Sequence, residues 1–314
     1  MKELIFIYLK KDFGGGNKVF YEISKKNNSK NIFLLGGVDF FKKLKEIKIN
    51  KQSIIVASDP LVCIILFFFK IKFIRFVQAV DLILFDKRLP KIINIFYKLL
   101  YKKSLKQKII YNSEFVKKKL KSINSDLIFV GKVSPGTDFI YKNTKKIFDF
   151  IFVLRKAPWK NSLFSLKVIT FLQDKNVKIA IVDPDNFLKN HSISKSVKKY
   201  EYVDRLRLNN LFQQTRFYFS STHHEGFGMP CLESMRSGCI PIAPHGCGHD
   251  DFMTHMKNSI LYDMNTVNIK NLIDEISKIS SEDLSKIKAN GIKSSNLFTW
   301  ENTRLNFNQA IKCL

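Results

Sequence analysis

Acidic residues are scarce in this chain. Its 314 residues hold 27 Asp and Glu against 53 Lys and Arg, a formal net charge of +26. An excess of that size points to an anionic partner, such as a nucleic acid, a membrane surface or a phosphorylated substrate. Part of it accompanies abundant Ile, Asn and Phe, a bias typical of AT-rich genomes. The basic residues are scattered and form no recognised nucleic-acid-binding motif, so no nucleic-acid partner is expected. Cysteine is sparse and unpaired. Cys63, Cys231, Cys239, Cys247 and Cys313 make an odd, dispersed set without C-x-x-C spacing. This excludes a disulfide framework, argues against a zinc site and favours a reducing cytoplasm. Long hydrophobic runs are missing too. The longest, Leu61 to Phe69, falls short of the roughly 20 residues a membrane span needs. The opening MKELIFIYLKKDFGGG interrupts its apolar run with charge. It reads as a first core strand, not as a signal peptide.

What is present is a rhythm of short strands and helices. The 45% hydrophobic fraction is enough for real cores, and the length allows one large or two medium domains. Runs rich in Ile, Val and Phe predict strands at 4–8, 31–35, 53–57, 73–77, 108–111 and 127–130. Helices are expected at 17–25, at 60–70 behind the Asp59-Pro60 cap, at 89–105 and at 113–121. The 89–105 segment is basic and amphipathic, fit either to cover a sheet or to lie on a membrane. This alternation is that of a doubly wound parallel sheet, an α/β fold. Residues 134–146 are polar, with Pro135 and Gly136, and separate a first domain, 1–142, from a second. The second repeats the rhythm, with strands at 148–154 and 177–182 and helices at 162–174 and 204–215.

The densest pattern lies between Arg216 and Asp263. RFYFS predicts a strand and THHEGFGM a glycine turn. PCLESMRSG predicts a helix opened by Pro230 and ended by Gly238. CIPIAP predicts a short strand, with Pro241 at or near a sheet edge. Ligands of open α/β sheets bind beyond the carboxyl ends of the strands. There the N–H groups of Phe227, Gly228 and Met229, at the helix start, suit a phosphate or a sugar oxygen. Glu225 and Glu233 suit sugar and ribose hydroxyls. Phosphate-friendly amides flanked by two carboxylates fit a nucleotide sugar.

The run Glu225-Gly226-Phe227-Gly228-Met229-Pro230-Cys231-Leu232-Glu233-Ser234-Met235, followed by Gly238, Pro241 and Ile242, resembles a known signature. It is that of retaining GT-B-fold glycosyltransferases of the family 4 type, the glycosyl transferases group 1. The resemblance implies two Rossmann-like domains facing a cleft. The first (1–142) would be the acceptor side and the second (143–296) the nucleotide-sugar side, with a crossover helix in 297–314 returning to the first. It assigns Arg155 and Lys160 to the donor diphosphate, Glu225 to the transferred sugar and Glu233 to the ribose. The family's usual Gly before the Arg is Leu154 here. Gly15-Gly16-Asn17-Lys18-Val19 resembles a cleft-facing glycine turn of the family, and is equally readable as a plain strand-to-helix turn. Asp81 is a candidate for contact with the acceptor or transferred sugar, and ordinary loop capping explains it as well. His223 and His224 line the donor pocket or cap its loop. The signature departs from the family at His249-Asp250-Asp251 and at Ser259.

The expected activity is retaining, metal-independent transfer of a hexose-type sugar, with the nucleotide sugar as substrate and no cofactor. The expected acceptor is a glycan or a polyprenyl-diphosphate-linked intermediate in the assembly of capsule, O-antigen or lipopolysaccharide. The expected location is the cytoplasm, at the inner face of an anionic membrane. Alternatives are a GT-B-fold nucleotide-sugar epimerase and a non-enzymatic nucleic-acid-binding protein.

Overall fold

The computed structural model describes residues 3–9, 15–25, 29–34, 53–79, 108–175, 177–194 and 197–312. The proposed helix at 89–105, Gly14, Asp81 and Cys313 lie outside the described residues. The chain divides into two compact units, Met1–Gly136 with Phe298–Leu314, and Thr137–Leu297.

The first unit is a parallel sheet of β1 (Leu4–Tyr8), β2 (Ser29–Phe33), β3 (Ile54–Ala57), β4 (Ile74–Val77), β5 (Lys108–Tyr111) and β6 (Ile128–Lys132). Among the described residues the order is β2-β1-β3-β4-β5-β6. Strands covered on both faces read as unbroken apolar runs, and LIFIY in β1 is buried at every position. Its side chains alternate between faces. Phe6 meets Phe20 of α1 (Gly15–Ser24) and Phe307 of a C-terminal helix, with ring centroids 5.3 and 5.6 Å away. Ile5 and Ile7 join a core with Val62, Cys63 and Leu66 of α2 (Pro60–Phe68) and Val116 and Leu120 of α3 (Glu114–Ile123). Asp59 caps α2 as its sequence implies, accepting from the Leu61 and Val62 amides. Ser113 caps α3 in the same way. Gly15 and Gly16 are the first two residues of α1.

The second unit holds β7 (Phe148–Val153), β8 (Ile179–Val182), β9 (Lys198–Tyr200), β10 (Thr215–Phe219), β11 (Ile240–Pro244) and β12 (Ile260–Tyr262), in the order β12-β11-β10-β7-β8-β9. Its helices are α4 (Ser162–Gln173), α5 (Arg205–Gln213), α6 (Met229–Arg236), α7 (Ile269–Lys278) and α8 (Ser281–Ser295). Aromatic pairs bind its central strands. Phe150 meets Phe217 at 5.3 Å and Phe152 meets Phe219 at 5.5 Å. Tyr262 stacks on Phe219 and donates its hydroxyl to the Ser220 carbonyl. Pro241 sits in β11, one strand in from the edge strand β12. Pairing with β12 begins at Ile242, one residue later, so the missing amide removes nothing from that ladder. Lys146 ties the entering chain to this unit, its Nζ donating to the carbonyls of Gln213, Thr215 and Gly238, each at 2.8 Å.

The helix α9 (Trp300–Lys312) belongs to the first unit and packs on β6 and α1. Its Thr303 hydroxyl donates to the Ser134 carbonyl at 2.9 Å. Among the described residues no helix is long and apolar enough to cross a membrane.

Candidate functional site

β10 ends at Phe219, and the chain then turns through Glu225-Gly226-Phe227-Gly228 into α6. Gly228 stands ahead of the helix at φ 95°, in the left-handed region that glycine alone enters without strain. A Cβ there would also lie 2.7 Å from the Cβ of His249. The Phe227 ring is buried against Phe252, so the residue offers the site its backbone only. Pro230 lies in the first turn, and Gly238, at φ 73°, follows the end of the helix as its sequence implies. A second glycine turn holds the first. The Gly248 amide donates to the Glu225 carbonyl at 2.8 Å, and a Cβ on Gly248 would stand 2.0 Å from the Gly226 oxygen. Two backbones at that separation leave no room for a side chain. His249 is buried beneath Gly228, with Nε2 2.6 Å from the Pro244 carbonyl. That contact requires a proton on Nε2 and leaves Nδ1 as the acceptor in the neutral ring. Burial lowers the His249 pKa, outweighing the opposite pull of the Pro244 carbonyl, Asp250 and Glu225.

The cations come from the loop after β7. Leu154, at the family's glycine position, is buried in the core and donates its amide to Val182, extending the β7 pairing. The larger side chain is thus accommodated inward. Arg155 follows at the surface, its Nε 2.8 Å from Asp185 Oδ2, which also accepts from the Lys156 amide. Partial burial raises the Asp185 carboxyl, but these bonds and the charges of Arg155 and Lys156 outweigh it and hold the group below its ordinary value. Lys160 ends a short 3-10 turn, Pro158–Lys160, and its Nζ reaches Glu225 Oε2 at 2.6 Å. The Ser221 hydroxyl bridges the end of β10 to the Lys160 and Asn161 carbonyls, both at 2.9 Å. The cation loop and the glutamate turn are therefore bound to each other through both backbone and side chains.

Glu233 lies within α6 and is buried. Arg205, the first residue of α5, donates Nη1 to its Oε1 at 2.9 Å. Its Nη2 pairs with Asp138, and the group lies 4.6 Å over the Phe139 ring. Sequence reasoning missed the partners of three site residues: Asp185 for Arg155, Lys160 for Glu225 and Arg205 for Glu233. Only Arg205 left a trace in the sequence. A cation directly after the Asp204 cap opposes the helix dipole, so helix stability does not account for it.

Of the residues expected at the site, Arg155, Lys160, Glu225, Phe227, Gly228, Met229 and Glu233 all belong to the second unit, on the β7 loop, the glycine turn and α6. His224 lies on the same turn, its ring 4.7 Å from that of His223. The His223 amide donates to the Trp159 carbonyl, and burial lowers the His223 pKa. Gly15 and Gly16 belong to the first unit. Burial pushes the Cys239 thiol up to about 12 and the Cys247 thiol up to about 11, and raises Cys231 well above its usual value. All three are protonated thiols at neutral pH.

The same fold recurs in known proteins. Sucrose-phosphate synthase of Thermosynechococcus elongatus shares the fold with a TM-score of 0.81 at 13% identity, over 99% of this chain and 98% of that one. Anabaena Alr3699/HepE, solved with UDP and glucose, gives 0.75 at 12% identity over the full length of both chains. ORF330 of Acidianus filamentous virus 2 is 53% identical over 36 residues, a match taking in 12% of this chain and 11% of that protein. Residues 137–294, just over half of the chain's 314, match the family described as glycosyl transferases group 1. The match takes in the cation loop, both glutamates and the glycine turns that hold them, and the chain belongs to that family.

Proposed function

We propose that the chain transfers a sugar, with retention of anomeric configuration, from a nucleotide-sugar donor to a lipid-linked or other glycan acceptor in surface polysaccharide assembly. The observation that carries this reading is the gathering of Arg155, Lys160, Glu225 and Glu233 on one unit, with Lys160 and Glu225 already in contact at 2.6 Å. A diphosphate needs a cation, and the sugar attached to it needs a hydroxyl acceptor close by. Arg155 and Lys160 neutralise the diphosphate as the bond from C1 to phosphate oxygen breaks and its electron pair passes to phosphate. The amides of Phe227, Gly228 and Met229 add fixed positive dipoles. These groups supply the neutralisation without a metal. The acceptor oxygen bonds to C1, and its proton passes to the departing phosphate. Glu225 accepts hydroxyls of the transferred sugar, and Glu233 those of the ribose. The bound UDP and glucose of Anabaena Alr3699/HepE, which shares the fold, make UDP-sugars the first donors to try. The net charge of +26 favours work at the anionic inner face of the cytoplasmic membrane, where a polyprenyl-diphosphate acceptor resides.

The test is a panel of nucleotide sugars incubated with the protein and membrane extract, reading released nucleoside diphosphate. Release from one donor without added divalent metal is expected. Release that depends on added metal contradicts the metal-independent reading, and no release from any donor contradicts transfer.

A further inference from the structure

We infer that Arg205 is a positioning residue for the donor: it holds the Glu233 carboxylate in the orientation that accepts the ribose hydroxyls. The inference rests on the proposed role of Glu233.

Glu233 is 5% exposed. A carboxylate so far from water is driven towards its neutral form unless a cation and hydrogen bonds compensate. Arg205 supplies both through the Nη1 bond to Oε1. A guanidinium is a planar fork whose orientation is specified when more than one face or edge is engaged. Here one nitrogen takes Glu233, another takes Asp138, and the face stacks on Phe139. Asp138 and Phe139 belong to the segment entering the second unit, and the Phe139 carbonyl also accepts from Arg236 Nε on α6. The fork is therefore fixed by groups outside α5. Burial pulls the Arg205 pKa down, but the charges and hydrogen bonds of Glu233 and Asp138 outweigh it and raise it.

The consequence for Glu233 is chemical. A carboxylate accepts at about four lone-pair positions, so the bond from Arg205 sets its plane without exhausting it. An ionised carboxylate is an acceptor only, matched to vicinal hydroxyls. Once protonated it becomes partly a donor, and the match weakens. Arg205 acts through Glu233 and does not itself meet the nucleotide.

This separates positioning from a purely structural role, because discrimination between ribose and deoxyribose reads the contact proposed for Glu233, and Glu233→Gln calibrates it. Calorimetric titration of UDP, GDP and ADP, each beside its 2′-deoxy form, into the wild type should find one base preferred and the ribose form tighter by about tenfold. That is the weight of one hydrogen bond to a charged group. Glu233→Gln should reduce that preference. Arg205→Met should reduce it to the same degree. Arg205→Lys should restore part of it, and Asp138→Asn should reduce it less. Thermal melts of each variant monitor folding. A lower melting temperature for Arg205→Met with the ribose preference intact overturns the inference, as does an unchanged titration. A wild type that binds no nucleoside diphosphate, or a Glu233→Gln variant that keeps the preference, overturns the role of Glu233 itself and this inference with it. A normal wild type and a defective Glu233→Gln beside an unaffected Arg205→Met remove Arg205 only.

Discussion

The two glutamates of one signature live in unlike surroundings. Glu225 stands on a turn, its side chain 20% exposed, paired with a lysine that is itself 24% exposed on a loop. Glu233 sits inside a helix, its side chain 6% exposed, paired with an arginine stacked on a phenylalanine and tied to a second carboxylate. A lysine ammonium on a flexible stem is a point charge that can exchange partners, whereas a stacked guanidinium fork is pre-organised. The Lys160–Glu225 pair is therefore suited to open, as the proposed binding of a diphosphate to the cation and a sugar to the carboxylate requires. The Arg205–Glu233 pair is suited to stay closed while the nucleotide comes and goes. One motif thus joins a partly exposed, exchangeable contact to a buried, pre-organised one.

The sharpest way to break this contrast is at the exchangeable pair. Glu225→Gln and Lys160→Ala should each lower turnover by about 10²–10³-fold, the range for removing one preorganised electrostatic group from a transfer site. Both should leave the melting temperature nearly unchanged, since a partly exposed ion pair adds little to stability. A large drop in melting temperature for either would make the pair structural and erase the distinction. Steady-state release of nucleoside diphosphate beside a melt decides it.

A middle-sized effect is expected where the turn is locked. Gly228→Ala must place a Cβ 2.7 Å from His249 at a φ of 95°. It should destabilise the protein by about 3 kcal/mol, combining left-handed strain with overpacking. Denaturant titration measures this. A change under about 1 kcal/mol would mean that the turn is not rigid.

How far the sequence spoke differs along the same lines. The strands were legible because buried parallel strands are unbroken apolar runs, and β1 and β5 fall where the sequence placed them. The helix cap at Asp59 was legible because capping is local chemistry, and the helices read as starting at Ser113 and Asp204 begin one residue later, with those two residues as their caps. The signature gave the glycine turn and α6. The partners of its charges were not legible. Arg205 is 28 positions from Glu233 and Lys160 is 65 from Glu225, and no local rule links residues at such separations. Pro241 was read as at or near a sheet edge and lies one strand in from it, but the start of β12 opposite Ile242 is a tertiary fact that no local rule supplies.

The smallest effect concerns His249. Burial holds its folded pKa below the ordinary value, so the unfolded chain binds a proton first as pH falls. The stability associated with the neutral ring is complete above the unfolded pKa of about 6.5 and is lost progressively as pH falls below it. His249→Gln keeps an N–H for the Pro244 carbonyl and removes the titration. The variant should therefore be the less stable protein at pH 8, with the gap narrowing towards pH 5. A gap that is constant with pH, or that widens in acid, would show that His249 does not titrate with unfolding.

The most direct measurement of the central claim follows turnover of the preferred nucleotide sugar in the wild type, Arg155→Ala and Glu233→Ala, with donor KM and kcat resolved for each. The account predicts that Arg155→Ala lowers kcat, because its cation stabilises the departing diphosphate. Glu233→Ala should raise the donor KM, because its carboxylate holds the ribose. Unchanged turnover in both variants would contradict the placement of the donor on the second unit.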